Sequence, residues 1–255
     1  MDSVVPNSHY EHKSVFYELF DRDEQFVIDL LAPHCAGKRV LDYGCGEGAW
    51  ARRLARLGAE SYGIDARPGS IELARQLAAL QRCRADYQVM DAHSTAFPDD
   101  NFDFIIVSGV LQYLELERAF LELARILKPD GEVIAIEGLR HNLAISAFRR
   151  LTPGPRSTWG AQRILGRSDI YRAQRYFADV RPLRFFHLFD LASVLLRNTR
   201  LFVPVRRALE VIDKRLLALP GVQWQAWTLA FSLGKPRRPI AEIDRGEDQP
   251  LRAMG

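Results

Sequence analysis

A short apolar strand that ends on an acid and runs into a glycine-rich turn constrains this chain more than any other feature. Residues 40–48 read VLDYGCGEG, and apolar spacing predicts a helix over 49–57. Glycines at alternate positions let the main chain turn sharply and leave it bare, so a ligand can lie directly against the peptide groups. The same letters also satisfy the loose dinucleotide pattern, which makes the motif weak evidence by itself. The strands that follow must therefore identify the ligand.

Further apolar runs follow, each short enough for a strand buried on both faces. The predicted strands are 39–43, 61–65, 86–90, 103–108 and 131–137, with helices between them at 68–80 and 116–127. This alternation predicts βαβ units and a parallel sheet. The second strand ends on Asp65, where nucleotide-binding α/β folds use a carboxylate to accept hydrogen bonds from a ribose. Asp65 therefore fits any ligand with an adenosine ribose.

The order and spacing of these motifs between Arg39 and Glu137 resemble class I S-adenosylmethionine-dependent methyltransferases of the small-molecule (type 11) group. The resemblance implies a Rossmann-like, mostly parallel sheet of seven strands with helices on both faces, and S-adenosyl-L-methionine as the cofactor. It also implies a set of cofactor-binding residues around the methionine, ribose and adenine parts: Asp42, Gly44, Cys45, Gly46, Asp65, Ala66, Asp91, Ala92 and Ser108.

The charge of this cofactor agrees with the acids in the motifs. S-adenosylmethionine has an ammonium and a sulfonium but no pyrophosphate, so carboxylates suit it better than a bare helix N-terminus. A protein of this fold that binds the cofactor without chemistry is an alternative, and an oxidoreductase that uses a nicotinamide is a less favoured one. No metal site is predicted, because the three cysteines are scattered along the chain.

The motifs divide the chain into three parts. We predict an N-terminal helical segment over 1–36, a methyltransferase domain over 37–235 and a disordered tail over 236–255. Within the domain, residues 138–179 form an insertion with predicted helices at 142–151 and 168–177, before two last strands in 180–187 and 224–233, the last one antiparallel. Insertions after the fifth strand lie above the carboxyl ends of the strands, where ligands bind. This insertion is therefore predicted to be a helical substrate cap.

Charge is divided unevenly along the chain. Residues 1–138 contain 14 Lys/Arg and 23 Asp/Glu, whereas residues 139–238 contain 19 and 5. The basic half favours an anionic partner, which we expect to be a small or carrier-bound metabolite. The alternative is that arginine stems merely cover apolar surface. Nucleic acid is disfavoured, since no binding module for it accompanies the charge.

Methyl transfer needs alignment of the acceptor more than it needs a catalytic group, because the sulfonium is already an activated donor. A general base is required only where the acceptor must lose a proton. By position the candidates are His141, with Glu137 to orient it, and Tyr113. A solvated His141, and Glu137 paired with Arg140, are the alternatives. We expect an oxygen or nitrogen acceptor.

The segment 185–219 mixes aromatic, aliphatic and basic residues, as an interfacial segment would. Within it, a helix over 205–219 with one apolar stripe is also what a crossover between the last strands needs. Core packing or a homodimer contact is therefore favoured over peripheral membrane binding. Residues 1–10 show no export signal and no apolar run reaches spanning length, which predicts a cytoplasmic protein.

Overall fold

A single sheet organises the chain in the computed structural model, which describes residues 17–142, 164–196 and 198–237. The strands are β1 (Arg39–Tyr43), β2 (Glu60–Asp65), β3 (Ala85–Val89), β4 (Phe102–Ser108), β5 (Leu127–Gly138), β6 (Phe177–Phe186) and β7 (Thr228–Pro236). The helices are α1 (Tyr17–Leu31), α2 (Ala49–Arg56), α3 (Pro68–Leu80), α4 (Leu116–Ile126), α5 (Arg167–Arg172) and α6 (Phe202–Leu216). These elements confirm the predicted α/β class.

The strand order is β3-β2-β1-β4-β5-β7-β6. Strands β1 to β5 pair in parallel, and β7 runs antiparallel between β5 and β6. The order reverses between β1 and β4, and the carboxyl ends of all five parallel strands meet at one edge. In open α/β sheets ligands bind in the crevice at such a reversal. We therefore expect a ligand site at the loops after β1 and β4.

Alternating side chains bury both faces of the sheet. Leu41 of β1 packs in the larger core with Phe120 of α4, whereas the adjacent Val40 packs with Val27 and Leu31 of α1. Successive side chains of a strand point to opposite faces, so neighbours enter different cores. Each fully buried side chain of this size contributes roughly 1.5 to 3 kcal/mol through removal from water. The two helical layers thus hold the sheet and keep its carboxyl edge open.

The boundaries of the predicted cap need correction. Its residues 143–163 lie outside the described part of the chain, as do residues 1–16 of the N-terminal segment and 238–255 of the tail. The helix predicted over 168–177 ends at Arg172 and continues only as a short 3₁₀ turn. Strand β6 begins at Phe177, which is fully buried and pairs with Pro236 of β7. The end of the predicted insertion therefore belongs to the sheet.

The predicted apolar stripe of the last helix is only partly correct: Leu209 and Leu216 are half-buried and Leu217 is buried in the core, but Ile212 is not. Ile212 of α6 is 45% exposed, and the buried residue of this helix is Asp213. The Asp213 carboxylate accepts hydrogen bonds from the N–H groups of Leu188, Phe189 and Asp190, so an acid faces inward beside these apolar side chains. Among the described helices, none has the length and apolar character needed to cross a bilayer.

Candidate functional site

Two glycines of the loop after β1 allow close packing around the crevice. Gly44 and Gly48 both have φ +76°, a conformation that side chains rarely adopt. A Cβ on Gly44 would lie 2.6 Å from Val110 Cγ2, and one on Gly48 would overlap the Tyr87 ring. These glycines let the β1 loop touch the β4 loop and the β3 strand.

The middle glycine faces open space instead. Gly46 has φ +52°, and the nearest atom to a Cβ built there is Arg67 Nη2 at 3.8 Å. Across the strand reversal, Gly109 follows β4 with φ +67° and has nothing within 4 Å of its Cβ position. Bare peptide therefore borders open space on both sides of the crevice, as a ligand lying against the main chain requires.

Asp65 is the acid that borders this space, at the end of β2. Its Oδ2 accepts hydrogen bonds from Gly46 N at 3.0 Å and Arg67 Nη2 at 3.3 Å. Its Oδ1 accepts from Arg67 N at 2.9 Å and Arg67 Nε at 3.0 Å. Burial raises the pKa of Asp65, but the bonds from Arg67 outweigh burial and lower the pKa overall. The side chain is therefore an ionised acceptor beside Gly46.

Asp42, the first acid of the motif, lies beneath the loop. It is 2% exposed, and its Oδ2 accepts a hydrogen bond from Ala51 N in the first turn of α2 at 3.0 Å. Burial raises its pKa to about 7. The next loop residue, Cys45, is 6% exposed and donates its N–H to Ile64 O at 2.7 Å. In the structure both residues shape the loop from below.

Glu137, predicted to orient a base, holds the β4 loop. Its Oε1 accepts hydrogen bonds from Val110 N at 2.8 Å and Leu111 N at 2.9 Å, and its side chain is 1% exposed. Burial raises its pKa to about 7. Because Val110 contacts Gly44, this carboxylate sets how the two loops of the crevice meet.

A second turn follows β3 and contains Asp91, Ala92 and His93. Asp91 Oδ1 accepts hydrogen bonds from His93 N at 2.9 Å, within its own turn, and lies 2.8 Å from His93 Nδ1. Ala92 accepts a hydrogen bond through its carbonyl from the Tyr43 hydroxyl at the end of β1. Ser108, the last residue of β4, is half-buried. The topology thus brings β3, β1 and β4 to the same edge, with Ala66 exposed after β2.

In the described part of the chain, the hydrogen bonds found for the candidate bases His141 and Tyr113 do not involve Glu137. His141 Nε2 accepts a hydrogen bond from Arg167 N at the start of α5, at 3.3 Å. Arg140 pairs with Asp169 at 3.1 Å, and Glu137 Oε2 has no hydrogen-bond partner, so the alternative of a Glu137–Arg140 pair is not formed. Tyr113 is 48% exposed beyond β4. His141 and Tyr113 remain predictions, and Glu137 is placed to position a loop.

Two features were not foreseen from the sequence. Arg67 caps Asp65, and its signal was an opposite charge two residues further along the chain. His187, with φ +62°, is buried between Asp23 of α1 and Asp190 at 2.8 and 2.7 Å. The two acids outweigh burial and raise the pKa of His187 to about 9. No local pattern signals a contact between residues so distant in sequence.

In the described ranges, no group of three or more His, Cys, Asp or Glu side chains is arranged to hold a metal ion. His141 and Tyr113 belong to no such group, and neither do the acids of the crevice. Carboxylates, glycines and backbone N–H groups border the crevice.

Comparison with known proteins shows that most of the crevice lies in a segment that matches a protein family model. Residues 41–135 match the family model described as "Methyltransferase domain" (Methyltransf_11). The chain is 37% identical over 112 residues to the "Ubiquinone biosynthesis O-methyltransferase" of Cereibacter sphaeroides, over 43% of this chain and 45% of that protein. It is 34% identical over 120 residues to the "Demethylmenaquinone methyltransferase" of Tropheryma whipplei, over 46% and 48%. The matched segment thus spans about half the length of these relatives.

Solved structures extend the likeness beyond this segment. The geranyl diphosphate C-methyltransferase from Streptomyces coelicolor A3(2), in complex with Mg²⁺, geranyl diphosphate and S-adenosyl-L-homocysteine, aligns with a TM-score of 0.56 at 20% identity. The alignment covers 91% of this chain and 88% of that chain. At this identity the likeness concerns the fold.

Proposed function

We propose that this chain carries a class I S-adenosylmethionine-dependent methyltransferase domain and transfers a methyl group from S-adenosylmethionine to a small-molecule acceptor. The observation that carries the proposal is the open space above Gly46, bordered by the ionised Asp65 at the strand reversal. A ribose over this glycine would find the Asp65 carboxylate as a hydrogen-bond acceptor.

The residues around the crevice fit this cofactor. A neutral ribose and a cationic methionine end need acceptors and bare main chain, which Asp65, Gly46 and Gly109 supply. Asp42 holds α2 against the loop, and Glu137 holds Val110 against Gly44. These two acids are positioning residues, since both are buried and bound to backbone N–H groups.

The bound cofactor would supply an activated methyl group, so the protein has to bind, align and exclude water. The Val110–Leu111 turn closes one side of the crevice, and its position depends on Glu137. His141 follows β5 at the same edge of the sheet and could take a proton from a hydroxyl acceptor. Its Nε2 accepts a hydrogen bond from Arg167 N, so this nitrogen can take a proton only where that bond gives way.

We propose an oxygen acceptor on an anionic small molecule, with a nitrogen acceptor as the next choice. One relative is named an O-methyltransferase of ubiquinone biosynthesis, and another acts by name on demethylmenaquinone. The excess of basic residues over 139–238 supports an acceptor with negative charge, free or bound to a carrier. Phenolic acids combine an oxygen acceptor with a negative charge.

Calorimetric titration of the full chain with S-adenosylhomocysteine tests the cofactor proposal. Asp65→Ala removes an acceptor for the ribose and should weaken binding by about tenfold to a hundredfold, or roughly 1.5 to 3 kcal/mol. Asp86→Ala is the matched control, because it removes an exposed acid of the neighbouring strand β3 whose hydrogen bond is with Gln88. Binding of NAD without binding of S-adenosylhomocysteine would contradict the proposal.

A panel of acceptors then tests the transfer itself. Incubation with S-adenosylmethionine and quinols, phenolic acids or amines should yield a product heavier by one methylene for an acceptor of the proposed class, detected by mass spectrometry. Asp65→Ala should lower this yield at limiting cofactor, whereas Asp86→Ala should not. A protein that binds S-adenosylhomocysteine but methylates no acceptor of the panel would contradict the acceptor class while leaving the cofactor proposal intact.

A further inference from the structure

Exposed apolar side chains are concentrated on α6 and its flanks. Of the eleven large hydrophobic residues in the described ranges that are exposed, six fall within residues 189–219. Five of these lie on α6 or close to its ends: Leu201, Val203, Val211, Ile212 and Leu219. Together with the exposed cations around them, these five residues form what we call the α6 surface. Single exposed hydrophobics are ordinary, but a cluster on one element indicates an interaction surface.

Cations complete this α6 surface. They are Arg200, Arg207, Lys214 and Arg215, all exposed. Across the described residues none of these four has an ion-pair partner, whereas Arg206 of the same helix pairs with Glu210 at 3.1 Å. The two acids of α6 are therefore not available to these cations, since Glu210 pairs with Arg206 and Asp213 is bound to backbone N–H groups.

Helical geometry interleaves the two kinds of side chain. Val203, Arg207, Val211 and Arg215 are four residues apart and form one row along the outer side of α6. The opposite side holds Asp213, so this outer row cannot turn inward without exposing a buried acid. The helix therefore presents alternating apolar and basic side chains to its surroundings.

We propose that the α6 surface binds an anionic phospholipid bilayer. Aliphatic side chains among unpaired Lys and Arg residues fit the boundary between acyl chains and anionic headgroups. A protein partner fits less well, because the apolar residues of this surface are aliphatic, whereas protein interfaces are enriched in aromatic residues and methionine. A symmetric dimer would bring Arg207, Lys214 and Arg215 of two copies together, and like charges repel. This binding goes beyond methyl transfer and does not depend on it.

Co-sedimentation of the full chain with vesicles tests the proposal. The protein should bind vesicles of phosphatidylcholine mixed with phosphatidylglycerol, bind phosphatidylcholine alone much more weakly, and be released by salt. The triple variant Arg207→Gln/Lys214→Gln/Arg215→Gln should lower the partition coefficient roughly a hundredfold, at about fivefold for each cation. Val211→Ser should lower it as well, since it removes apolar contact without changing charge.

A matched triple variant separates the surface from net charge. Arg84→Gln/Arg118→Gln/Arg172→Gln removes three exposed arginines elsewhere and should leave partitioning within about twofold. An equal loss in both triple variants would refute the proposal in favour of net charge. Absence of binding to the mixed vesicles at low salt would also refute it. So would a stable dimer in light scattering that the α6 triple variant dissociates, because the surface would then be a subunit interface.

Discussion

Arg67→Ala should tighten the binding of S-adenosylhomocysteine, because Arg67 competes for Asp65. An ionised carboxylate offers about four acceptor positions. In the structure Asp65 accepts from Gly46 N, from Arg67 N, and from two nitrogens of the Arg67 guanidinium. The two backbone donors are fixed by the loop. A ribose hydroxyl can therefore bind Asp65 only where the Arg67 side chain gives way.

The expected change in Kd follows from the exposure of the Arg67–Asp65 ion pair. The Arg67 side chain is 72% exposed, so its ion pair with Asp65 is largely screened despite the bidentate geometry. Exposed pairs contribute up to about 1 kcal/mol, and removing a competitor of that strength should lower the Kd about fivefold. Calorimetric titration of wild type and variant measures this change directly.

Arg175→Ala provides the matched control for Arg67→Ala. Arg175 pairs with Glu117 at 3.1 Å, and its side chain is 68% exposed, close to the values for Arg67. Its removal should leave the Kd unchanged, since it lies outside the crevice. Weaker binding in Arg67→Ala would refute the competition and would mean that the guanidinium contacts the ligand. Absence of binding in every variant would instead refute the proposed cofactor.

Three further outcomes are expected. His187→Ala leaves Asp23 and Asp190 without their shared cation and should lower the free energy of unfolding by about 3 to 5 kcal/mol. Because its pKa is raised, His187 contributes to the free energy of unfolding fully below pH 6.5, and this contribution is lost as the pH rises through about 9. The urea midpoint should therefore fall over that pH window in wild type and fall less in the variant. Glu137→Gln keeps an oxygen acceptor for the β4 loop, and it should gain stability relative to wild type as the pH rises from 4.5 to about 7, where the wild-type carboxyl ionises. His141→Ala should lower kcat about a hundredfold or more for a hydroxyl acceptor, with the affinity for S-adenosylmethionine unchanged. An unaffected rate with such an acceptor would exclude His141 as the base.

Local patterns were sufficient to predict the first strands and helices of the sheet. β1 begins and ends where the apolar run predicted it, and α3 spans the predicted 68–80. Turn chemistry and apolar periodicity act over a few residues, so they can be read from neighbouring letters. The fifth strand began earlier than predicted, at Leu127, because Leu127 pairs with Phe102 across a register shift. That pairing lies between residues distant in the chain.

The sequence by itself determined the fold class, the glycine loop and the acids at the strand ends, since motif order and spacing are local. Only the tertiary structure decided which acid faces the crevice. Asp42 and Glu137 are drawn under the loops by backbone N–H groups of Ala51, Val110 and Leu111, which leaves Asp65 beside Gly46. The structure likewise decided the outward face of α6, because the buried Asp213 sets its rotation. Both outcomes depend on satisfying buried polar groups across the fold, and one-dimensional spacing does not encode such partners.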